Sequence, residues 1–172
     1  SANLNFSMPT GGEMELIGNY EVESGKYNMT LDGLIKKDFE LKKGSNITWS
    51  GEILEATTNL TAVYKVRTDA EELIQDMQSA PGANRQKFDF EVDMNIKGEL
   101  MKPVITFYID MSEKEQAAFD GIVYTRLKQV NSIPSELNKQ VMGLLALNSF
   151  IADDPFNSLT GSGGNFETTA FS

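Results

Sequence analysis

The side chains whose spacing suggests chemistry are three carboxylates, Asp89, Glu91 and Asp93, which stand two residues apart. A pair of carboxylates can act as general acid and base. In a β-strand, however, residues two apart share one face, so this row is more typical of a solvated strand face than of a catalytic site. The chain has neither histidine nor cysteine, which removes the commonest general base, the commonest metal ligand and any thiolate site. We therefore predict no catalytic residue.

The remaining motifs also argue against an enzyme. The run from Asp93 to Lys97 resembles part of a calcium loop, but the glycine and the terminal glutamate of that loop are missing at the required spacing. The sequence contains no phosphate-binding glycine loop and no nucleophile elbow. We predict a non-enzymatic protein with no cofactor and no metal site.

Composition limits the classes of partner. The 172 residues are 40% hydrophobic and 23% charged, which is typical of one globular domain with a sizeable core. Fifteen basic against 25 acidic residues give a net charge of −10, which argues against binding to nucleic acid or adsorption to an anionic membrane. The apolar run Val141 to Ile151 is too short for a bilayer, which takes ~20 residues. Because Ser1-Ala2-Asn3 shows no initiating Met and no signal pattern, we expect any anchor or export signal to lie outside this sequence.

Alternating apolar and polar residues predict a mainly antiparallel β protein. Period-two alternation indicates strands with one wet face. We expect the first strands to form a meander, with a hairpin turn at Ser24-Gly25 and a bulge near Gly33. Further turns are expected at Gly44 and Gly51. The predicted strands lie near 4–8, 14–22, 27–31, 46–50, 56–67, 86–97 and 103–110.

Two helices are predicted after the strands, at about 112–130 and 134–152. Ser112 and Glu115 have the spacing of a capping box, and Pro134 is tolerated in a first helical turn. Because the strand at 103–110 is apolar on both faces, we expect these helices to cover its second face. Thr68 to Ala80 is read as a short helix, with a polar loop as the alternative. Residues 1–152 would then form the domain, and 153–172 would form a flexible polar Gly/Ser-rich tail.

The apolar strand faces are the candidate functional site. On residue types alone, these faces favour the core of a closed sandwich or barrel over an open groove, because apolar strand faces normally pack together. The residues in question are Leu60, Tyr64, Val66, Phe88, Phe90, Val92, Met94 and Ile96.

Three patches of sequence resemble the C-terminal domain of TamB, a translocation and assembly module of the AsmA-like family, in its Bacteroidetes form. The first patch contains Phe39, Leu41, Gly44, Ser45, Ile47, Trp49, Gly51, Ala56, Leu60, Ala62, Tyr64 and Val66. The second runs from Gly18 to Met29, and the third from Leu137 to Phe150. Ile53 stands where proline is common in such relatives. The resemblance covers roughly Gly11 to Phe150.

The resemblance implies a long curved sheet folded into an apolar-lined trough, called a β-taco. It implies a periplasmic segment of an envelope-spanning protein, with the full-length protein anchored in the inner membrane. The eight residues above would line a groove that shelters acyl chains during phospholipid transport, that assists insertion of outer-membrane β-barrel proteins, or that does both. The implied partners are phospholipid or unfolded barrel strands, and an outer-membrane TamA-like barrel. The alternative is a closed β-sandwich that binds glycan or protein on the bacterial surface, with Trp49 as the residue to watch.

Overall fold

The computed structural model describes residues 1–31, 33, 35–75, 77 and 85–152. Within them lie eight β-strands followed by two α-helices, which confirms a mainly antiparallel β protein with two helices at the end and adds one strand, at 35–41, to the seven predicted. The bounds are β1 Ala2–Ser7, β2 Glu15–Glu21, β3 Lys26–Leu31, β4 Ile35–Leu41, β5 Asn46–Glu52, β6 Thr57–Asp69, β7 Lys87–Glu99, β8 Lys102–Met111, α1 Ile122–Ser132 and α2 Pro134–Leu147. The long alternating strands at 56–67 and 86–97 are confirmed as β6 and β7.

The strands form one open antiparallel sheet that branches at β6. Along one edge, β6 pairs with β7 over its full length, and β7 pairs with β8. The other edge of β6 has two partners. Its first residues, 57–59, pair with β5, which leads on to β2 and β1, whereas Ala62 and Val63 pair with β4, which leads on to β3. β6 is thirteen residues long, which is enough for two shorter strands to share one edge.

The predicted meander of the first strands is wrong. β2 pairs with β5 rather than with β3. β3 forms its hairpin with β4 instead, and Gly33 lies in the intervening turn with φ of 71° rather than at a bulge. The turn at Gly44 is confirmed, whereas Gly51 lies inside β5. Alternation fixes the two faces of a strand, but it does not say which strand lies beside it.

The first helix starts later than predicted, and the capping box does not form. The Glu115 carboxylate accepts a hydrogen bond from the Asp89 backbone N–H (2.8 Å), and the Ser112 N–H donates to the Asp89 carbonyl (3.0 Å). Both residues therefore extend the sheet at β7. The chain then passes through a short 3-10 turn, Ala118–Gly121, before α1 begins at Ile122.

The second helix begins at Pro134 as predicted, but it ends at Leu147 rather than at residue 152. Asn148 follows in the left-handed region with φ of 55°, where a helix stops. The segment after β6 forms turns rather than a helix in its described part, and Ala70, Leu73 and Ile74 are buried there. The proposed tail, 153–172, lies outside the described residues.

The helices cover one face of β8 and leave the other exposed. Ile109 and Met111 are buried under them, whereas Val104 and Tyr108 on the opposite face remain 65% and 40% exposed. The apolar residues on both sides of β8 therefore do not indicate two covered faces.

Candidate functional site: an apolar trough partly filled by two helices

One face of the sheet carries apolar side chains from β8 to β1. Residues directly opposite in an antiparallel pair point to the same face, so the register traces this face from strand to strand. The pairs that connect it are Ile105 with Ile96, Ile96 with Leu60, Thr58 with Ile47, Ile47 with Tyr20, and Leu16 with Phe6. The two ends of this face differ in what covers them.

At the end formed by β4, β6, β7 and β8, the face is covered by α1 and α2. Apolar side chains of the sheet and of both helices are buried in a single cluster. The rings of Phe90 and Phe150 pack edge to face with centroids 4.8 Å apart, and Phe88 packs similarly against Phe119 at 6.3 Å. Phe39 on β4 is also fully buried in this cluster. The sheet therefore curves around the helices, and we call this part the covered end of the trough.

Several polar contacts hold the helices against the rest of the fold, among them the bond from the Arg126 side chain on α1 to the Leu73 carbonyl (3.1 Å) and two groups of contacts at the rim of the covered end. On α1, the Asn131 amide accepts from the Ile109 backbone N–H (2.9 Å) and donates to the Ile109 carbonyl (2.7 Å). This side chain thus satisfies one residue of the β8 edge as a neighbouring strand would. Beyond α2, Asn148 accepts a hydrogen bond from the Tyr64 hydroxyl (2.6 Å), which in turn accepts one from Lys37 (3.3 Å).

The chain after α2 folds back onto the helix. The Gln140 amide, buried to 1% exposure, donates to the Ile151 carbonyl (2.8 Å) and accepts from the Ile151 N–H (2.9 Å). Gly143 allows this approach, because a Cβ there would lie 2.7 Å from the Ser149 carbonyl oxygen. The helices and residues 148–151 therefore pack as one unit.

The eight predicted groove residues lie together on the apolar face. Six of them are buried beneath the helices, while Leu60 and Tyr64 are half-buried and pack against the same cluster. The six are Val66, Phe88, Phe90, Val92, Met94 and Ile96. Their role in holding a ligand stays a prediction, and with the helices in place a ligand has access only to the neighbouring part of the face.

The end formed by β1, β2 and β5 has its apolar residues largely uncovered. Leu4 and Tyr20 are 42% and 43% exposed, and Phe6 is 58% exposed. Leu16, Ile47 and Trp49 are half-buried on the same face, and the Trp49 indole N–H donates to the Ile53 carbonyl (3.0 Å). We call this part the open end of the trough. Exposed apolar surface of this kind typically marks a site of interaction.

Within the described residues, β1 pairs only with β2, so its outer backbone edge at the open end has no strand beside it. Ser1 and Glu21 exchange two backbone hydrogen bonds, of 2.7 and 2.8 Å. Because bonded and free positions alternate along an antiparallel strand, the N–H and C=O groups of Ala2, Leu4 and Phe6 point away from β2. Leu4 and Phe6 thus contribute side chains to the apolar face and backbone groups to the free edge.

The opposite face of the sheet is mainly polar on β6 and β7, where it carries the predicted carboxylate row. Asp89 pairs with Arg67 (2.7 Å) and Asp93 pairs with Lys42 (2.8 Å). The hydrogen bond and charge of Asp89 raise the pKa of the Arg67 guanidinium above its usual value. A recess of about 470 Å³ lies beside this ion pair, with Lys65 and Glu91 among its lining residues. Asp89 is solvated, as the alternation predicted, whereas the Asp93 side chain is only 17% exposed.

Partial burial, with the charge of Asp110 next in importance, raises the pKa of the Tyr108 hydroxyl above its ordinary value. Tyr108 therefore stays neutral through the physiological range. Over the described ranges, no group of His, Cys, Asp and Glu side chains is arranged to hold a metal ion. Nor does either α-helix, or any other helix in the described part, reach the length and apolarity needed to cross a bilayer.

The groove predicted from the sequence comprises residues of β6 and β7 only, and does not include Leu4, Phe6 and Tyr20 at the open end. Their alternation was visible in the sequence, but the uncovered state of their face depends on where the helices pack.

A protein-family model described as the TamB C-terminal domain matches residues 1–172, the whole chain. A search of curated proteins and a search of solved structures each found no match. The match covers all of the elements described above, from β1 to α2.

Proposed function

Because this chain belongs to the family of TamB C-terminal domains, which serve outer-membrane assembly, we propose that it shelters phospholipid acyl chains on the apolar face of its sheet. The observation that carries the proposal is the continuous apolar face, of which one end is filled by helices and the other is exposed. A surface of this kind needs no catalytic residue, since affinity comes from apolar area removed from water.

The open end supplies the first contact. Leu4, Phe6 and Tyr20 lie close together through the pairings of β1 and β2, and each retains about half of its surface to bury. Complete burial of a large apolar side chain contributes about 1.5–3 kcal/mol. Three partly buried side chains together would therefore support binding of an acyl chain.

The eight predicted groove residues would continue this surface. Leu60 is the predicted groove residue nearest the open end, because Thr58, two residues before it on β6, pairs with Ile47 on β5. An acyl chain that entered over Tyr20 and Trp49 would meet Leu60 next. We propose that the groove extends from there toward Phe90.

The proposed setting is the bacterial periplasm, within an envelope-spanning protein anchored in the inner membrane. A TamA-like barrel of the outer membrane is the proposed partner. The polar outer face of the sheet, with its ion pairs at Arg67 and Lys42, is suited to an aqueous compartment.

A second candidate function, assistance with insertion of β-barrel proteins, is favoured by the free edge of β1. An extended segment can add to an open sheet edge through backbone hydrogen bonds. Here the edge groups of Leu4 and Phe6 adjoin an exposed apolar face, which would accept the apolar side of an added strand. By contrast, the alternative of a closed β-sandwich binding module is at odds with the open sheet of the described residues.

Native mass spectrometry of the purified chain, followed by organic extraction and lipid identification, tests the principal proposal. We expect bound phospholipid on the unaltered chain. The substitution Phe6→Glu places a charge on the apolar face, and we expect it to weaken binding about tenfold or more, since 1.4 kcal/mol corresponds to a factor of ten.

The matched control is Asn5→Glu, because Asn5 is exposed on the opposite face of the same strand. It adds the same charge without touching the apolar face, so binding should persist. Equal loss of lipid in both variants, or an unaltered chain that takes up no added phospholipid, would contradict the proposal.

A further inference from the structure

The α1–α2 helical hairpin occupies the part of the trough that an acyl chain would need in order to reach the buried groove residues. Phe90 and Val92 are fully buried, and Met94 is 1% exposed. The residues that bury them include Leu144 on α2 and Phe150 after it. Both ligand and helices would use the same apolar surface, so the two cannot occupy it together.

The chain segment that joins the hairpin to β8 contains an unusual backbone turn. Phe119, Asp120 and Gly121 have φ angles of 50°, 57° and 73°, all in the left-handed region. Glycine adopts this region readily, but a bulky residue such as Phe rarely does. Such a conformation persists only where the surrounding packing holds it, and here the Phe119 ring packs against Phe88 in the trough.

The polar contacts at the rim are of a kind that water can replace. Asn131 bonds to the edge of β8, which would otherwise be solvated, and Asn148 bonds to the half-buried Tyr64 hydroxyl. The buried pair between Gln140 and Ile151 lies within the helical unit and moves with it. Departure of the hairpin leaves these rim groups accessible to water, and it also breaks the hydrogen bond from the Arg126 side chain on α1 to the Leu73 carbonyl (3.1 Å).

From these observations we propose that the α1–α2 hairpin is a displaceable plug, which phospholipid acyl chains expel from the covered end by a rotation about Phe119–Gly121. This inference rests on the proposed function. An acyl chain that binds the covered end only when the plug is out shifts the population toward the open state, because its affinity differs between the two states. The turn at Phe119 then relaxes, since its packing against Phe88 is lost.

Two independent readouts on one chain test the proposal. Trp49 is the only tryptophan and lies at the open end, so quenching by a lysophosphatidylcholine with a brominated acyl chain reports binding there. The chain has no cysteine, so Leu144→Cys introduces a single thiol on the buried side of α2. We expect the lipid to quench Trp49 and to accelerate maleimide labelling of that thiol about tenfold, in proportion to the open population.

The control for general unfolding is Ala62→Cys, a buried position on β6 in the covered end. There the incoming acyl chain replaces the helices, so labelling should not accelerate. If Leu144→Cys folds poorly, Val141→Cys on the same buried side of α2 gives the same readout.

A locked form separates the plug from the binding surface. Lys37 and Asn148 both bond to the Tyr64 hydroxyl, from β4 and from the end of α2. The double variant Lys37→Cys/Asn148→Cys, joined by a short bis-maleimide in a chain without other thiols, holds α2 against β4. The same double variant without the crosslink is the control.

Lipid that quenches Trp49 in both forms, with stronger retention in the free form, supports the plug. Quenching of Trp49 without faster labelling of Leu144→Cys, together with equal lipid retention in the locked and free forms, overturns the plug and leaves the proposed function standing. Absence of Trp49 quenching at any lipid concentration overturns the proposed function, and the plug with it.

Discussion

The covered end and the open end of the trough belong to the same face of the same sheet, yet they differ in what the apolar side chains contribute. Phe90 at the covered end is fully buried, whereas Phe6 at the open end is 58% exposed. Both residues sit in alternating strands and point to the same face. The difference shows that alternation places a side chain, while the cover decides whether that side chain stabilises the fold or remains available to a ligand.

The largest expected contrast comes from truncating one phenylalanine at each end. Phe90→Ala should lower the free energy of unfolding by about 3–5 kcal/mol, because it removes a buried ring and leaves a cavity. Phe6→Ala removes a mostly solvated ring, and we expect a change within about 0.5 kcal/mol. Urea unfolding followed by circular dichroism measures both. Similar losses at the two positions would mean that the open end is also packed in solution.

Gly18 tests how closely β1 must approach β2. Its φ is 141°, and a Cβ at this position would lie 2.1 Å from the Asn3 carbonyl oxygen. Gly18→Ala should therefore push β1 away, at a cost of about 1–3 kcal/mol if the sheet accommodates the strain locally. Hydrogen exchange should show lost protection on β2 at its β1-facing amides, with the covered end unchanged.

The control for this variant is Ser7→Ala, an exposed residue at the end of β1, which should leave exchange unaltered. If Gly18→Ala instead lowers protection equally on β7, the two ends unfold as one unit and the comparison between them fails.

Asn131 tests the contact between α1 and the edge of β8. Asn131→Ala leaves the Ile109 N–H and carbonyl without their side-chain partner, and we expect a loss of about 1–2 kcal/mol. Asn131→Asp keeps an acceptor for the Ile109 N–H but loses the donor to the Ile109 carbonyl. We therefore expect this variant to be less stable than the unaltered chain. Gln129→Ala, an exposed neighbour on the same helix, serves as the control. Thermal unfolding distinguishes them, and equal melting temperatures for Asn131→Ala and Gln129→Ala would contradict the contact.

The smallest effect is expected on the polar face. Arg67→Gln removes the ion pair with Asp89, which is solvent-exposed on both sides. Exposed ion pairs contribute little because water and salt screen them. We expect no resolvable change in the urea midpoint at physiological salt, and a large destabilisation would show that this face is covered in solution.

The sequence predicted where the strands and helices lie along the chain better than it predicted which segments they contact. β6 and β7 were recognisable because apolar and polar residues alternate without a break over 56–67 and 86–97. α2 was recognisable from Pro134 and the apolar residues that follow it. The start of α1 was missed because Ser112 and Glu115 bond to Asp89 on β7, a partner far away in the chain. A local motif cannot reveal such a competing contact.

By itself, the sequence determined which residues face the apolar side of each strand, since side-chain direction in a strand follows from backbone geometry alone. It also determined the family, through residue types at fixed spacings. Only the tertiary structure decided that β2 lies beside β5, that α1 and α2 cover β7 and β8, and that Leu4 and Phe6 remain uncovered. Backbone pairing uses the same N–H and C=O groups at every residue, so strand order and cover depend on contacts between distant segments.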